Sequence, residues 1–246
     1  MERALEKIRP HTTSNLAHQK TPATLLLALE STLTDQNADK TPTAYFAVLL
    51  TTLEGTIQKN DTGMGEGDIL PGVLYLLALV MPFVPQPVIQ SNLSTILDLT
   101  APLFPSLQQH APALRSQLTI YLSIFLSLDR TQVEIQGIRQ AFASILQICL
   151  DPRPKVRKKA ADLVKDVLSH PPTPLLRHPY ADRVADWVKG ALAEISQGPL
   201  VRAKQGKAPA ASGDHAIHLL AFLRPVLTLL PPSVSAIPSH RFYANF

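Results

Sequence analysis

The chain reads as an all-α protein, a solenoid of short helical hairpins, and three observations predict it. The first is the segment Asp151 to Leu168, where Val156, Ala160, Leu163, Val164 and Val167 recur at helical spacing as one apolar stripe. Lys155, Arg157, Lys158, Lys159, Asp162, Lys165 and Asp166 lie off that stripe. A helix this short cannot bury its stripe alone, so neighbours must stack against it. The second is punctuation: prolines fall where helices should open, at Pro22, Pro42, Pro112, Pro152 and Pro174, the first helical position tolerating a residue with no N–H. The third is an absence. No segment sustains the alternation of a half-buried strand, and 46% hydrophobic residues with only 6% aromatics suit a core of closely packed helices.

The elements follow in order. Met1 to Lys20 is a short basic leader. Thr21-Pro22 opens a helix to about Asn37 and Thr41-Pro42 a second to about Lys59, each with a capping hydroxyl before the proline. Asn60 to Asp68 carries Gly63, Gly65 and Gly67 and reads as a flexible loop; no strand precedes it and no Gly-Lys-Ser/Thr follows, so it is not a phosphate loop. Two apolar helices come next, about Leu70–Val84 and Val88–Phe104, broken by Pro82, Pro85 and Pro87. Helices over about Ala111–Leu128 and Thr131–Leu150 follow, the second opened by a Thr131/Glu134 capping box. Asp151 should cap the next helix, with Pro152 at its first position, running to Ser169 and pairing with about Tyr180–Gln197 across a proline-rich turn. Gly198 to Gly213 is basic and rich in small residues, a flexible linker. A helix over about Asp214–Leu230 begins a further repeat and leads into the tail. The domain organisation is thus a leader at 1–20, about four hairpins over 21–197, a linker at 198–213 and a partial repeat with tail at 214–246.

Composition narrows the function classes. Cys149 is the single cysteine and sits in an apolar run, so it reads as a core thiol in a protein of a reducing compartment, cytosol or nucleus. The longest apolar run, Ile69 to Val84, is shorter than the roughly 20 residues that span a bilayer, and Pro71 and Pro82 interrupt it. The N-terminus has neither the apolar core nor the cleavage site of a secretory signal. No nucleophile elbow and no carboxylate pair suggests catalysis. His215 and His218 share a helix face but lack a third ligand, and His170 and His178 flank a proline-rich turn as surface residues. No cofactor, membrane or small-molecule substrate is expected.

What remains is charge. The net charge of +4 is unevenly spread: residues 151–210 hold twelve Lys/Arg against six Asp/Glu, whereas residues 60–130 hold two against five. The cluster Arg153, Lys155, Arg157, Lys158 and Lys159 is the strongest candidate for contact with RNA or an acidic protein. Its plainer reading is a solvated face with ion pairs such as Lys158 with Asp162. Arg202, Lys204 and Lys207 form a second candidate on the linker, and Arg3, Lys7, Arg9 and Lys20 a third in the leader. None has the interleaved aromatics of a single-strand stacking platform.

The order of Asp, Val-Arg, Ala and Leu in residues 151–168 looks like the second helix of a HEAT repeat, which makes the expected architecture a right-handed α-solenoid of HEAT/armadillo-like hairpins. Other residues go further. The leader from Leu5 to Lys20 resembles the amino-terminal start of the ribosomal RNA-processing protein 12 family, as do Thr41 to Leu53, Leu114-Arg-Ser-Gln-Leu118 and Asp151 to Ala161, in the expected order. The family consists of large non-enzymatic solenoids several times longer than this chain. The resemblance implies a nucleolar scaffold acting in small-subunit pre-rRNA processing, pre-ribosome assembly and nuclear export, with pre-ribosomal particles, Ran GTPase and export machinery as partners and shuttling to the cytoplasm. No single functional residue carries over. The rival is a karyopherin-like adaptor that binds cargo or Ran GTPase without touching RNA.

Overall fold

Leucines, alanines and valines at helical spacing leave the backbone one way to satisfy its polar groups while burying them, and the structure follows that rule. The computed structural model describes residues 1–65, 67–203 and 210–232, with the backbone alone over 196–203 and 210–213. Among the described residues there is no strand. The helices are α1 (Glu2–Glu6), α2 (Ala17–Asp35), α3 (Pro42–Gln58), α4 (Ile69–Val80), α5 (Gln86–Ser91), α6 (Leu93–Thr100), α7 (Phe104–Leu107), α8 (Ala111–Ser127), α9 (Gln136–Ile148), α10 (Pro154–Ser169), α11 (Tyr180–Ala203) and α12 (Ala210–Val226). The all-α expectation holds. The chain forms two compact units, residues 1–128 with 135–138, and residues 129–134 with 139 onwards.

In the first unit α2 packs on α4, α4 on α8, and α3 on α4 and α6. Helix α4 is enclosed on nearly every side: Leu70, Val73, Leu74, Leu76 and Leu77 are all buried, which is why its sequence has no polar face. Gly72 lets α2 approach; a Cβ there would lie 2.8 Å from the Leu25 Cδ1 and 3.4 Å from the Thr21 Cγ2. The Thr21 hydroxyl donates to the Gly67 carbonyl at 3.0 Å, tying the glycine loop to α2.

Helix ends in this unit follow local chemistry. Thr41 caps α3 as its sequence predicts, its hydroxyl accepting from the Ala44 N–H at 3.2 Å with Pro42 at the first position. Helices α2 and α3 both close on an asparagine in the left-handed region, Asn37 at φ 50° and Asn60 at φ 55°. The Ala38 N–H returns to the Leu33 carbonyl and the Asp61 N–H to the Thr56 carbonyl, the wrap that satisfies last-turn acceptors.

Two expectations for this unit need correction, and the leader takes part in the packing. Helix α2 starts at Ala17, so Pro22 lies inside it and Thr21 is no cap; the turn is set by Ser14, whose hydroxyl accepts from the Leu16 N–H and donates to Gln19. The leader is built into the fold: Leu5 and Ile8 are buried, and the 3-10 turn Arg9–Thr13 packs on α2. The helix expected over Val88–Phe104 is broken into α5, α6 and a 3-10 turn before α7. Asn92 interrupts it, its amide donating to the Val88 carbonyl at 2.8 Å, and Pro102 and Pro105 each start a new short turn.

In the second unit α12 packs against α10 and α11. The stripe Val156, Ala160, Leu163, Val164 and Val167 is buried as expected. So is Cys149, and burial pushes its thiol well above the ordinary range. Tyr180 joins the start of α11 to the turn at 132–134, its hydroxyl donating to the Val133 carbonyl at 2.6 Å, with the Phe142 ring 4.3 Å away. His178 is not a surface residue: it is 2% exposed, its Nδ1 accepts from the Tyr180 N–H at 3.1 Å, and burial lowers its pKa to about 4. Helix α11 runs on past Gly198 to Ala203, and α12 starts at Ala210, ahead of Asp214.

The capping box before α9 is also displaced. Asp129, not Thr131, supplies the acceptor: its Oδ1 takes the N–H groups of Thr131 and Gln132 at 2.7 and 2.8 Å. Gln132 returns the bond, its Oε1 accepting from the Asp129 N–H at 3.1 Å. The box therefore opens the 3-10 turn Gln132–Glu134, and α9 begins only at Gln136.

Candidate functional site

The five basic residues at 153–159 have different fates in the structure. Helix α10 begins at Pro154 with Arg153 as its N-cap residue, two positions later than the sequence suggests. Asp151 does not cap it. Its Oδ1 accepts from the Arg153 N–H at 2.8 Å and from the Arg153 Nε at 2.9 Å, and its Oδ2 from the Nη2 at 2.7 Å. A carboxylate two residues before an arginine folds that guanidinium back on itself. The hydrogen bonds from Arg153 hold the Asp151 carboxyl below its ordinary range, and the same bonds raise Arg153.

Arg157 is also occupied. Its Nη1 donates to the carbonyls of Asp151 and Pro152 at 2.7 and 3.2 Å. It thus ties the first turns of α10 to the segment that leads into it. Both arginines are half-buried and spend donors on the chain itself.

Lys155 and Lys158 are exposed and Lys159 half-buried. Among the described residues none of the three has a carboxylate within ion-pair distance, and the pairing of Lys158 with Asp162 does not form. Helical geometry places Lys158 opposite the buried stripe, Lys155 towards that side and the half-buried Lys159 on the flank of the stripe. Further along that side come Asp162, Lys165 and Asp166. The N-cap side chain makes no capping hydrogen bond, and the Asp151 carboxylate accepts from the N-cap backbone N–H.

The other candidates separate likewise. Arg202 lies near the end of α11, where the backbone alone is described, and Lys204 and Lys207 lie outside the described residues. In the leader, Arg3, Lys7 and Lys20 are exposed, while Arg9 is taken by Glu30 and Glu2 at 2.7 and 2.6 Å. Elsewhere in the second unit Arg139 and Arg183 both approach Glu134, at 3.7 and 3.8 Å, and Arg177 approaches Asp182 at 3.4 Å. Sequence reasoning missed that Asp151 neutralises Arg153; the signal was their spacing of two.

Among the described residues no three His, Cys, Asp or Glu side chains gather as a metal site would need, and no helix is long and apolar enough to cross a membrane. Some apolar side chains stay in solvent in the first unit: Tyr75 is 41%, Phe83 52% and Leu126 37% exposed.

Residues 9–243 match the family described as RRP12-like, N-terminal HEAT repeats. The chain is 29% identical over 204 residues to ribosomal RNA-processing protein 12 of Saccharomyces cerevisiae, which covers 79% of this chain and 17% of that protein. It is 31% identical over 168 residues to the RRP12-like protein of Homo sapiens, covering 66% of this chain and 12% of the relative. A putative ribosomal RNA-processing protein 12 of Schizosaccharomyces pombe is 26% identical over 179 residues, 71% of this chain and 14% of the relative. The chain thus spans less than a fifth of the length of these three relatives. No solved structure matches it significantly. Helices that can bury their stripes only against one another, and a family match over residues 9–243, lead to one conclusion: the chain belongs to the RRP12-like family, as an α-solenoid segment of its N-terminal HEAT repeats.

Proposed function

We propose that the chain is a non-enzymatic solenoid scaffold in ribosome biogenesis, acting in small-subunit pre-rRNA processing and in pre-ribosome assembly and export. One observation carries the reading: a chain whose relatives are named for ribosomal RNA processing presents Lys155, Lys158 and Lys159 without an ion-pair partner among the described residues. Its mechanism is geometric and electrostatic. Packed helices hold the lysines on a firm base, and many weak contacts to phosphate sum to binding that weakens with salt. The partners are pre-ribosomal RNA and assembly factors, and the place of action is the nucleolus, with shuttling during export. Arg202, Lys204 and Lys207 are proposed as a second contact to the same polyanion.

The test is crosslinking in cells with mapping of the attached RNA. Crosslinks from this segment to small-subunit precursor RNA are expected; crosslinks to protein alone would overturn the RNA contact. A second reading, a karyopherin-like adaptor for cargo or Ran GTPase, draws on the exposed Tyr75, Phe83 and Leu126, the kind of apolar surface that partner helices cover. Binding that changes with the nucleotide state of the GTPase and persists without RNA would favour it.

A further inference from the structure

The five cations at the start of α10 divide into two arginines bonded to the chain itself and three lysines with no ion-pair partner among the described residues. Arg153 is closed onto Asp151 by two side-chain hydrogen bonds, and Arg157 onto two backbone carbonyls. Lys155 and Lys159 stand one turn apart, a rise of about 6 Å, with Lys158 beside them, and none is paired among the described residues. Beyond them the same side carries Asp162, Lys165 and Asp166, and two carboxylates against one ammonium end the net positive surface.

The chemistry of the three lysines limits what they can recognise. The best pre-organised contacts to a base edge come from planar groups such as a guanidinium, and stacking an unstacked base takes an aromatic face. Both arginines of the cluster are engaged elsewhere, and α10 contains no aromatic residue. Three flexible ammonium groups are point charges that suit phosphate oxygens in any sequence context.

We propose that the start of α10 binds the sugar–phosphate backbone of RNA through Lys155, Lys158 and Lys159 alone, without regard to base sequence, while Arg153 and Arg157 only position the helix. This rests on the reading above that the basic start of α10 meets RNA. It makes a quantitative claim. Three neutralised phosphates of a single strand contribute a slope of about −2 to the logarithm of affinity against the logarithm of salt, whereas five would contribute about −3.5.

The experiment measures binding of the chain to single-stranded homopolymers of U and of A, of equal length, between about 50 and 200 mM salt. The variant K155Q/K158Q/K159Q should show a slope shallower by about 2, so that the unsubstituted chain loses roughly 16-fold more affinity than the variant across that range. The variant R153Q/R157Q should keep the original slope while melting at a lower temperature. Both homopolymers should respond equally to the lysine substitutions. An arginine variant that retains its helical circular dichroism and loses slope as the lysine variant does would overturn the proposal. So would a lysine effect confined to one homopolymer, or displacement of the RNA by polyglutamate at equal charge, which would point to an acidic protein surface. Failure of the unsubstituted chain to bind either RNA would instead remove the RNA contact proposed above, before the lysines are at issue.

Discussion

Arg9 holds Glu30 across 21 positions of sequence, its Nε at 3.0 and 3.3 Å and its Nη2 at 2.7 Å from the carboxylate. Glu30 is 8% exposed and also accepts from the Tyr45 hydroxyl at 2.8 Å. The leader, α2 and α3 therefore meet at one carboxylate. Replacing Arg9 by Ala leaves that carboxylate under-compensated, and partial exposure of Arg9 reduces the cost below that of a fully buried pair. A loss of about 2 kcal/mol is expected in urea denaturation, with no change for Lys7→Ala on the exposed side. Equal stability of the two variants would show that the leader is not held by this pair.

Acid should weaken the fold in two stages. Burial lowers His178 from 6.5 to about 4, so the unfolded chain takes up a proton there first. Stability falls as pH drops from 6.5 to about 4, by about 3 kcal/mol in all. For Glu30, burial alone would raise the carboxyl, but hydrogen bonds from Arg9 and Tyr45 and the nearby Arg9 and Lys40 charges hold it below the ordinary 4.5. Its contribution is complete above 4.5 and is lost as pH falls through the lowered folded value. His178→Asn should flatten the upper stage and Glu30→Gln the lower. Denaturant midpoints followed from pH 7 to 3 would show whether the two stages separate.

Tyr180→Phe isolates one buried hydrogen bond. The ring stays against Phe142, but the Val133 carbonyl loses its donor. Destabilisation of about 1.5 kcal/mol is expected; a neutral substitution would mean that the carbonyl finds another partner. Tyr180→Ala should cost more, because the aromatic packing goes as well.

Cys149 provides a probe of core integrity. It is fully buried and its thiolate is disfavoured. A soluble thiol reagent should leave it unmodified in the native protein and label it quantitatively in denaturant. Rapid native labelling would contradict its place in the core.

Helical identity was legible wherever apolar spacing extended over several turns, as in α3, α8 and α10, because burial of a stripe needs no information beyond the stripe. Helix starts were less so. Thr41-Pro42 is a true start, while Thr21-Pro22 is interior to α2, and nothing local distinguishes them; the difference lies in Ser14 upstream and in Gly72 on α4. Asp129 and Thr131 are both competent caps, and the reciprocal bond from Gln132 selects Asp129. At the candidate site the charge cluster was visible, but its division was not, since Asp151 works as an acceptor for Arg153 only once the turn between them is formed. Lys204 and Lys207 lie outside the described residues, so the second cluster stays at the level of composition.

The closure of Arg153 on Asp151 bears on which substitutions the segment tolerates over time. Lysine cannot reproduce a guanidinium that meets both carboxylate oxygens at once, so Arg153 is under the constraint of shape, while Arg157 is held by its reach to two backbone carbonyls. At Lys155, Lys158 and Lys159 the proposed phosphate contact asks only for the sign of the charge, and arginine should serve as well. Two interleaved sets of basic positions would then drift by different rules within about two helical turns, and a pattern of exchange among relatives would separate the residues that keep the helix in place from those that answer to what lies outside it.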